Sequence, residues 1–148
     1  MRVIREITRA ILIILTGFLS LTSILGGVAL IAGFNAPPSS ELQGTIFKSF
    51  LLPGLVLAVV VGGSALLAAI LLLHKNKFSY LFATVTGIVI MFFEFIEVLM
   101  IGSPHGIART LQIFYFGLGT IITIFSICIL FIDILSEQNK TKYWTEIG

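Results

Sequence analysis

The sequence is poor in the residues on which most enzymes and metalloproteins depend. Among its 148 residues there are one cysteine and two histidines, and only 11% of the residues are charged. Cys128 therefore has no partner for an internal disulfide. His74 and His105 lie outside the long apolar runs, which excludes a haem held by axial histidines inside a helical bundle.

Catalytic and nucleotide-binding patterns are also missing. There is no Cys pair, no Ser-His-Asp candidate set and no glycine-rich phosphate loop between a strand and a helix. The net charge of +2 comes without a Lys/Arg cluster interleaved with aromatic residues, so nucleic acid is not an expected partner. We therefore expect neither an enzyme nor a bound cofactor.

The residues that are abundant indicate an integral membrane protein. The chain is 57% hydrophobic, with a mean hydropathy of +1.12, which exceeds what a soluble domain of this length can bury. Four apolar runs reach the length of about 20 residues that a bilayer requires: 10–34, 50–73, 78–101 and 111–134. The sequence predicts a single all-α domain, a four-helix transmembrane bundle whose second and third helices form a tight hairpin.

Positive charge is distributed unequally between the two ends of this bundle, which predicts its orientation. Seven lysines and arginines fall on one side: Arg2, Arg5, Arg9, Lys75, Lys77, Lys140 and Lys142. Only Lys48 and Arg109 fall on the other side. Because Lys and Arg concentrate in cytoplasmic segments, we expect both termini in the cytoplasm and the loops 35–49 and 102–109 outside.

Small and polar residues recur at helical spacing in three of the runs. Gly54, Ala58 and Gly62 form a small-xxx-small stripe of the kind that lets two helices approach closely. Thr16, Ser20, Ser23 and Gly27 line one side of the first run. A seam with a period of 3.5 passes along the fourth: Arg109, Gln112, Phe116, Gly119, Thr123, Ser126, Leu130 and Asp133. We expect these seams to face the bundle interior.

Two glutamates within the third run are the strongest pointer to a function. Glu94 and Glu97 are three residues apart, about 60° around a helix, so they share a face. At about 1.5 Å per residue they lie ~10 Å and ~6 Å below the end of the run at Ile101. A carboxylate in hydrocarbon is costly unless it is neutral, paired or hydrated.

Two interpretations of the pair are open. In the structural one, Glu97 pairs with Arg109, and Glu94 contacts Tyr115, Gln112 or Lys48. Counting residues along the fourth run places Arg109 and Gln112 near the depth of Glu97, and Tyr115 near that of Glu94. In the functional one, both acids line a small cavity, and the pair retains a proton because two like charges so close are unfavourable. That proton would then exchange for a cation or a cationic small molecule. His105 is near enough in sequence to approach either arrangement, and the absence of a third acid argues against a metal site.

Several segments resemble small bacterial four-span membrane proteins without an assigned activity. They are GGVALI at 26–31, GTIFKSFLLPGLVLAVVVGGSALLAA at 44–69, EVLMIG at 97–102 and LQIFYFGLG at 111–119. The resemblance implies four spans and a bacterial inner membrane, and it implies no site.

The sequence thus supports two hypotheses. The first is a membrane protein that binds or transports a cation or cationic small molecule at Glu94 and Glu97, with Arg109, Gln112 and Tyr115 setting their charge state. So small a bundle would act as a homodimer. The alternative is a non-catalytic accessory or scaffold subunit, whose Gly54–Ala58–Gly62 stripe meets a partner helix and whose glutamates form ion pairs with Arg109.

Overall fold

The computed structural model describes residues 2–34, 49–102 and 106–147, and these ranges are helical apart from short turns. The helices are α1 (Arg2–Ala32), α2 (Leu51–Leu73), α3 (Ser79–Ile101) and α4 (Ile107–Ile147). Each is long and apolar enough to cross a membrane. The prediction of an all-α chain with four spanning helices is confirmed, and the chain is a multi-pass membrane protein by the length and composition of its helices.

Two helices continue well beyond the apolar runs. α1 begins at Arg2 and α4 continues to Ile147, because hydropathy marks only the part of a helix that crosses the bilayer. Polar residues such as Arg, Lys, Glu and Gln are good helix formers and extend it into water. Lys48, His105 and nearly all of the predicted loop 35–49 lie outside the described residues.

The helices are arranged as an antiparallel ring in which each packs on its neighbour in the sequence. α1 packs on α2, α2 on α3 and α3 on α4, and α1 also contacts α4. The turn between α2 and α3 is tight: Lys75 adopts a φ of 53°, and the Asn76 side chain accepts a hydrogen bond from the Phe78 N–H at 2.9 Å. We call this end of the bundle the hairpin end.

Glycines set the closest helix contacts. A Cβ added at Gly54 would lie 2.8 Å from the Gly27 carbonyl oxygen, and one added at Gly119 would lie 2.8 Å from the Gly87 carbonyl oxygen. A Cβ at Gly62 would meet Ile24 of α1. The Gly54–Ala58–Gly62 stripe therefore packs against the chain's own first helix and is occupied within the chain, instead of being left for a partner helix.

α2 contains a π-helical segment, Val56–Val61, between two α-helical parts. In a regular α-helix, residues four apart drift by about 40° around the axis at each step. The wider π turn offsets part of this drift, which keeps the small residues of the stripe on the face that meets α1. Such π segments occur often beside functional sites.

Buried hydroxyl groups connect the helices, as the seams predicted. Thr16, Ser20 and Ser23 of α1 are all buried, and Ser20 Oγ donates to the Gly62 carbonyl at 3.0 Å. Thr84 Oγ1 donates to Ser126 Oγ at 2.8 Å between α3 and α4. The α4 seam is interior at Gln112, Gly119 and Ser126 but exposed at Arg109 and Phe116, so its prediction was only partly correct.

Candidate functional site

A cavity of about 310 Å³ lies between the four helices, near the end of α3 that is remote from the hairpin. Every helix contributes to its wall, and Leu30, Leu57, Phe93 and Leu111 supply apolar surface. Its volume falls at the lower end of the range of small-molecule sites, about 300–1,000 Å³. The site is therefore of a size for a small ligand.

Glu94 lines this cavity from α3. The residue lies within a membrane-spanning helix and is buried, with 5% of its surface exposed. Among the described residues no hydrogen bond or ion pair reaches its carboxyl group. A buried carboxyl group within a membrane span has a high free-energy cost, so its presence points to a functional role in addition to helix packing.

Glu97 lies one turn further along the same face and also lines the cavity. Gln112 Nε2 of α4 donates to Glu97 Oε1 at 3.2 Å and to the Gly102 carbonyl oxygen at 3.2 Å. Gln112 thereby ties the start of α4 to the end of α3. It also holds the Glu97 carboxyl group in place while Glu94 has no such contact.

Two more polar atoms of the cavity wall lack partners. Ser23 Oγ and Gln112 Oε1 are buried, and neither forms a hydrogen bond within the described parts of the chain. Ser23 and Gln112 are 2% and 6% exposed, and both line the cavity. Buried polar groups are normally satisfied, so these two atoms are unused hydrogen-bonding capacity beside the two carboxyl groups.

The structure brings together four of the five residues predicted for the site and separates the fifth. Glu94, Glu97, Gln112 and Tyr115 line the cavity, whereas Arg109 is exposed and borders a different depression on the outer side of α4. No ion pair joins Arg109 to either glutamate in the part of the chain that the structure describes. The expected Glu97–Arg109 pair is thus not formed there.

The position of Arg109 outside the cavity has a simple geometric cause. Counting residues placed it at about the right depth, but depth does not determine which side of a helix a residue occupies. Gln112 and Tyr115 face the cavity with Ala108 and Leu111. Arg109 follows Ala108 by one residue, about 100° around the axis, and lies outside the face that lines the cavity.

Ser23 and the π segment of α2 were not predicted as parts of the site. Ser23 was expected only to face the interior, and the sequence offered no depth argument linking it to the glutamates. Leu57, which lines the cavity, belongs to the π segment. Hydropathy patterns contain no signal for a π turn in a run of valines and leucines.

The side of the cavity toward the hairpin end is closed by apolar side chains. Leu19, Val61, Ile90 and Ile122 are fully buried and belong to one hydrophobic cluster. The cavity is thus a pocket in one half of the bundle. Any passage of a ligand through the protein would require these side chains and their helices to move.

The oxygen atoms that line the cavity suit an organic cation better than a divalent metal ion. No group of three or more His, Cys, Asp or Glu residues occurs within the described ranges, and Ca²⁺ takes about six to eight oxygen ligands. The two carboxyl groups of the cavity reach six oxygen ligands only if both are bidentate and neutral amide and hydroxyl oxygens also coordinate. These oxygens are a suitable set of acceptors for a single positively charged group.

Comparison with known proteins adds no relative: no family model, curated protein or solved structure matches the chain.

Proposed function

We propose that this chain is a small integral membrane protein that binds a protonated amine or guanidinium compound in the cavity between its four helices. Glu94 and Glu97 provide the opposite charge. The observation that carries this proposal is the grouping of two carboxyl groups and two unpartnered polar atoms in one apolar cavity within the membrane span.

Charge supports a cationic ligand over a neutral or anionic one. Carboxyl groups inside a membrane are rare and are retained for ion or substrate pathways. A positive group between Glu94 and Glu97 would offset the cost of burying them. The apolar walls formed by Leu30, Leu57, Phe93 and Leu111 would receive the hydrocarbon part of the same molecule.

Hydrogen-bonding capacity narrows the ligand class further. Gln112 Oε1 is an acceptor only, and Ser23 Oγ has two acceptor lone pairs as well as a donor. A primary ammonium group has three N–H donors and a guanidinium group has five. A quaternary ammonium ion has none and would leave the unpartnered atoms unsatisfied, so we expect it to bind more weakly.

Transport is the natural use of such a site, and the proposal extends to it. Displacement of a proton from the carboxyl pair by the cation would couple ligand binding to proton movement. With both termini cytoplasmic in a bacterial inner membrane, the cavity would face outward. A bundle of four helices has little room for a transport pathway within a single chain, so the transporting unit would be a homodimer.

The direct test is ligand binding to the purified protein in an uncharged detergent. Butylguanidinium and butylammonium are titrated by calorimetry, with tetramethylammonium as the comparison, and proton release is followed in weakly buffered solution. Glu94→Gln should abolish both binding and proton release. The matched control is Glu6→Gln, which alters a carboxylate at the hairpin end, and it should change neither.

Two results would reject the proposal. One is a wild-type protein that binds none of the three cations, and the other is a Glu94→Gln variant that binds them as well as wild type does. In either case the glutamates would be structural, and the accessory or scaffold role would be the better hypothesis.

A further inference from the structure

The hairpin end of the bundle has a second polar cavity, of about 270 Å³, on the side opposite the glutamate pair. Residues of α1, the α2–α3 turn, the start of α3 and α4 contribute to it. Four cationic side chains line it, Arg5, Arg9, Lys75 and Lys77, together with two carboxylates, Glu6 and Asp133. The lining thus has an excess of two positive charges.

The two carboxylates are already engaged by three of the cations. Asp133 pairs with Arg5, and Glu6 lies 2.9 Å from Arg9 Nη2 and 3.5 Å from Lys75 Nζ. Lys77 has no carboxylate within salt-bridge distance among the described residues. Its ammonium group lies 4.9 Å from the centre of the Phe78 ring, which leaves the positive charge available to an anion.

One donor of this cluster is also unused. Arg9 Nε is buried and has no hydrogen-bond partner among the residues that the structure describes. Its guanidinium group is occupied by Glu6 through the two terminal nitrogens only. Asp133 Oδ1, an acceptor beside Arg5, also makes no hydrogen bond within those residues, so Lys77 supplies the positive charge that is free for an anion, and phosphate oxygens are strong acceptors for it.

A partly apolar groove adjoins the polar cavity. It has a volume of about 370 Å³ and runs between α1 and α4, where three isoleucines, Ile4, Ile129 and Ile132, line it together with Arg2, Arg5, Glu6 and Ser136. Arg5 and Glu6 border both the groove and the polar cavity. A positively charged pocket that continues onto the surface of three isoleucines matches a molecule with a negative head and a hydrocarbon tail.

We propose that these two adjoining cavities bind one anionic phospholipid. Its phosphate lies among Lys77, Arg9 and Lys75, and the start of an acyl chain lies in the groove against Ile129 and Ile132. Basic pockets between transmembrane helices bind anionic headgroups in this way. The site is at the other end of the molecule from the carboxylate cavity, so it is independent of the proposed ligand binding there.

The test is a lipid titration of the full chain in uncharged detergent. Phosphatidylglycerol and phosphatidylcholine with identical acyl chains are added, and native mass spectrometry counts the lipids bound to each protein. We expect one phosphatidylglycerol per chain, bound about tenfold more tightly than phosphatidylcholine because of its net charge. Inorganic phosphate, added as a competitor, should displace little of it since it cannot occupy the groove.

Two single-charge variants provide the matched comparison. Lys77→Gln should weaken phosphatidylglycerol binding about fivefold, whereas Arg109→Gln, which removes another exposed charge at the opposite end, should leave it unchanged. Both residues lie on the surface, so neither variant threatens the fold.

Three outcomes would overturn the proposal. They are equal affinity for the two lipids, equal loss in Lys77→Gln and Arg109→Gln, and full competition by inorganic phosphate. The last would show an anion site that does not recognise a lipid.

Discussion

Replacing Glu94 by methionine separates a functional carboxyl group from a structural one. The residue is 5% exposed, and its carboxyl group has no hydrogen-bond or ionic partner among the described residues. An unsatisfied buried polar group costs about 1–3 kcal/mol. Methionine has a similar length, no charge and a flexible chain that fills irregular space.

We therefore expect Glu94→Met to raise the free energy of unfolding by about 1–3 kcal/mol, with the low end applying where water in the cavity already solvates the carboxyl group. The same variant should lose binding of butylguanidinium. Such a gain of stability with a loss of function is the usual consequence of removing a group that is kept for activity.

The assay is reversible unfolding in mixed micelles, followed by circular dichroism and run beside the calorimetric binding measurement. Gln112→Met is the comparison, because Gln112 donates two hydrogen bonds, and its loss should destabilise the fold by about 1 kcal/mol. A Glu94→Met protein destabilised by about 3–5 kcal/mol would refute the reasoning, since that is the cost of breaking a buried ion pair.

Three further predictions, two of them with a control variant, test the packing and the charges of the bundle. Gly54→Ala should lower the free energy of unfolding by about 1–3 kcal/mol, because its Cβ would lie 2.8 Å from a backbone oxygen of α1. The control Gly63→Ala, whose Cβ meets nothing within 4 Å, should be neutral or stabilising. Equal melting temperatures of the two variants would contradict the close approach of α2 to α1. Arg109→Ala should change stability by less than about 0.5 kcal/mol, and a loss above about 1 kcal/mol would reinstate an ion pair with the glutamates. Deletion of Val59, within the π segment, should leave a folded protein because it restores a regular α-helix. Deletion of Leu67 should instead rotate the flanking residues by about 100° and disrupt their packing. Circular dichroism and size-exclusion profiles distinguish the two deletions.

The number of helices could be predicted from the sequence because it depends on composition alone. Every backbone polar group within a membrane must form a hydrogen bond, which favours helices as the spanning structure. Four apolar runs separated by charged residues therefore predict four transmembrane helices. The limits of α1 and α4 were less predictable. Arg2 and the residues after Ser136 continue as helix outside the apolar runs, where hydropathy no longer contains information.

The candidate site could be predicted in part, because depth and face are separate properties. Residue counting placed Gln112 and Tyr115 at the level of the glutamates, and both line the cavity with them. Rotation about the helix axis could not be fixed equally well, and Arg109 faces outward as a result. The role of Ser23 depends on how closely α1 approaches α3 and α4, which is a tertiary property absent from the pattern of any single helix.

The π segment of α2 connects the packing of the bundle to its cavity. Gly54 and Gly62 lie on either side of Val56–Val61, and both hold α2 tightly against α1. Leu57, between them, lines the cavity, while Val61 at the end of the segment belongs to the apolar floor. Gly54 and Gly62 are eight residues apart, so a regular α-helix would separate them by about 80° around the axis, and one of them would leave the face that meets α1. The π segment therefore links the cavity wall at Leu57 and the floor at Val61 to the close contact between α2 and α1, and a change in the helical geometry of this segment would alter the cavity and that contact together.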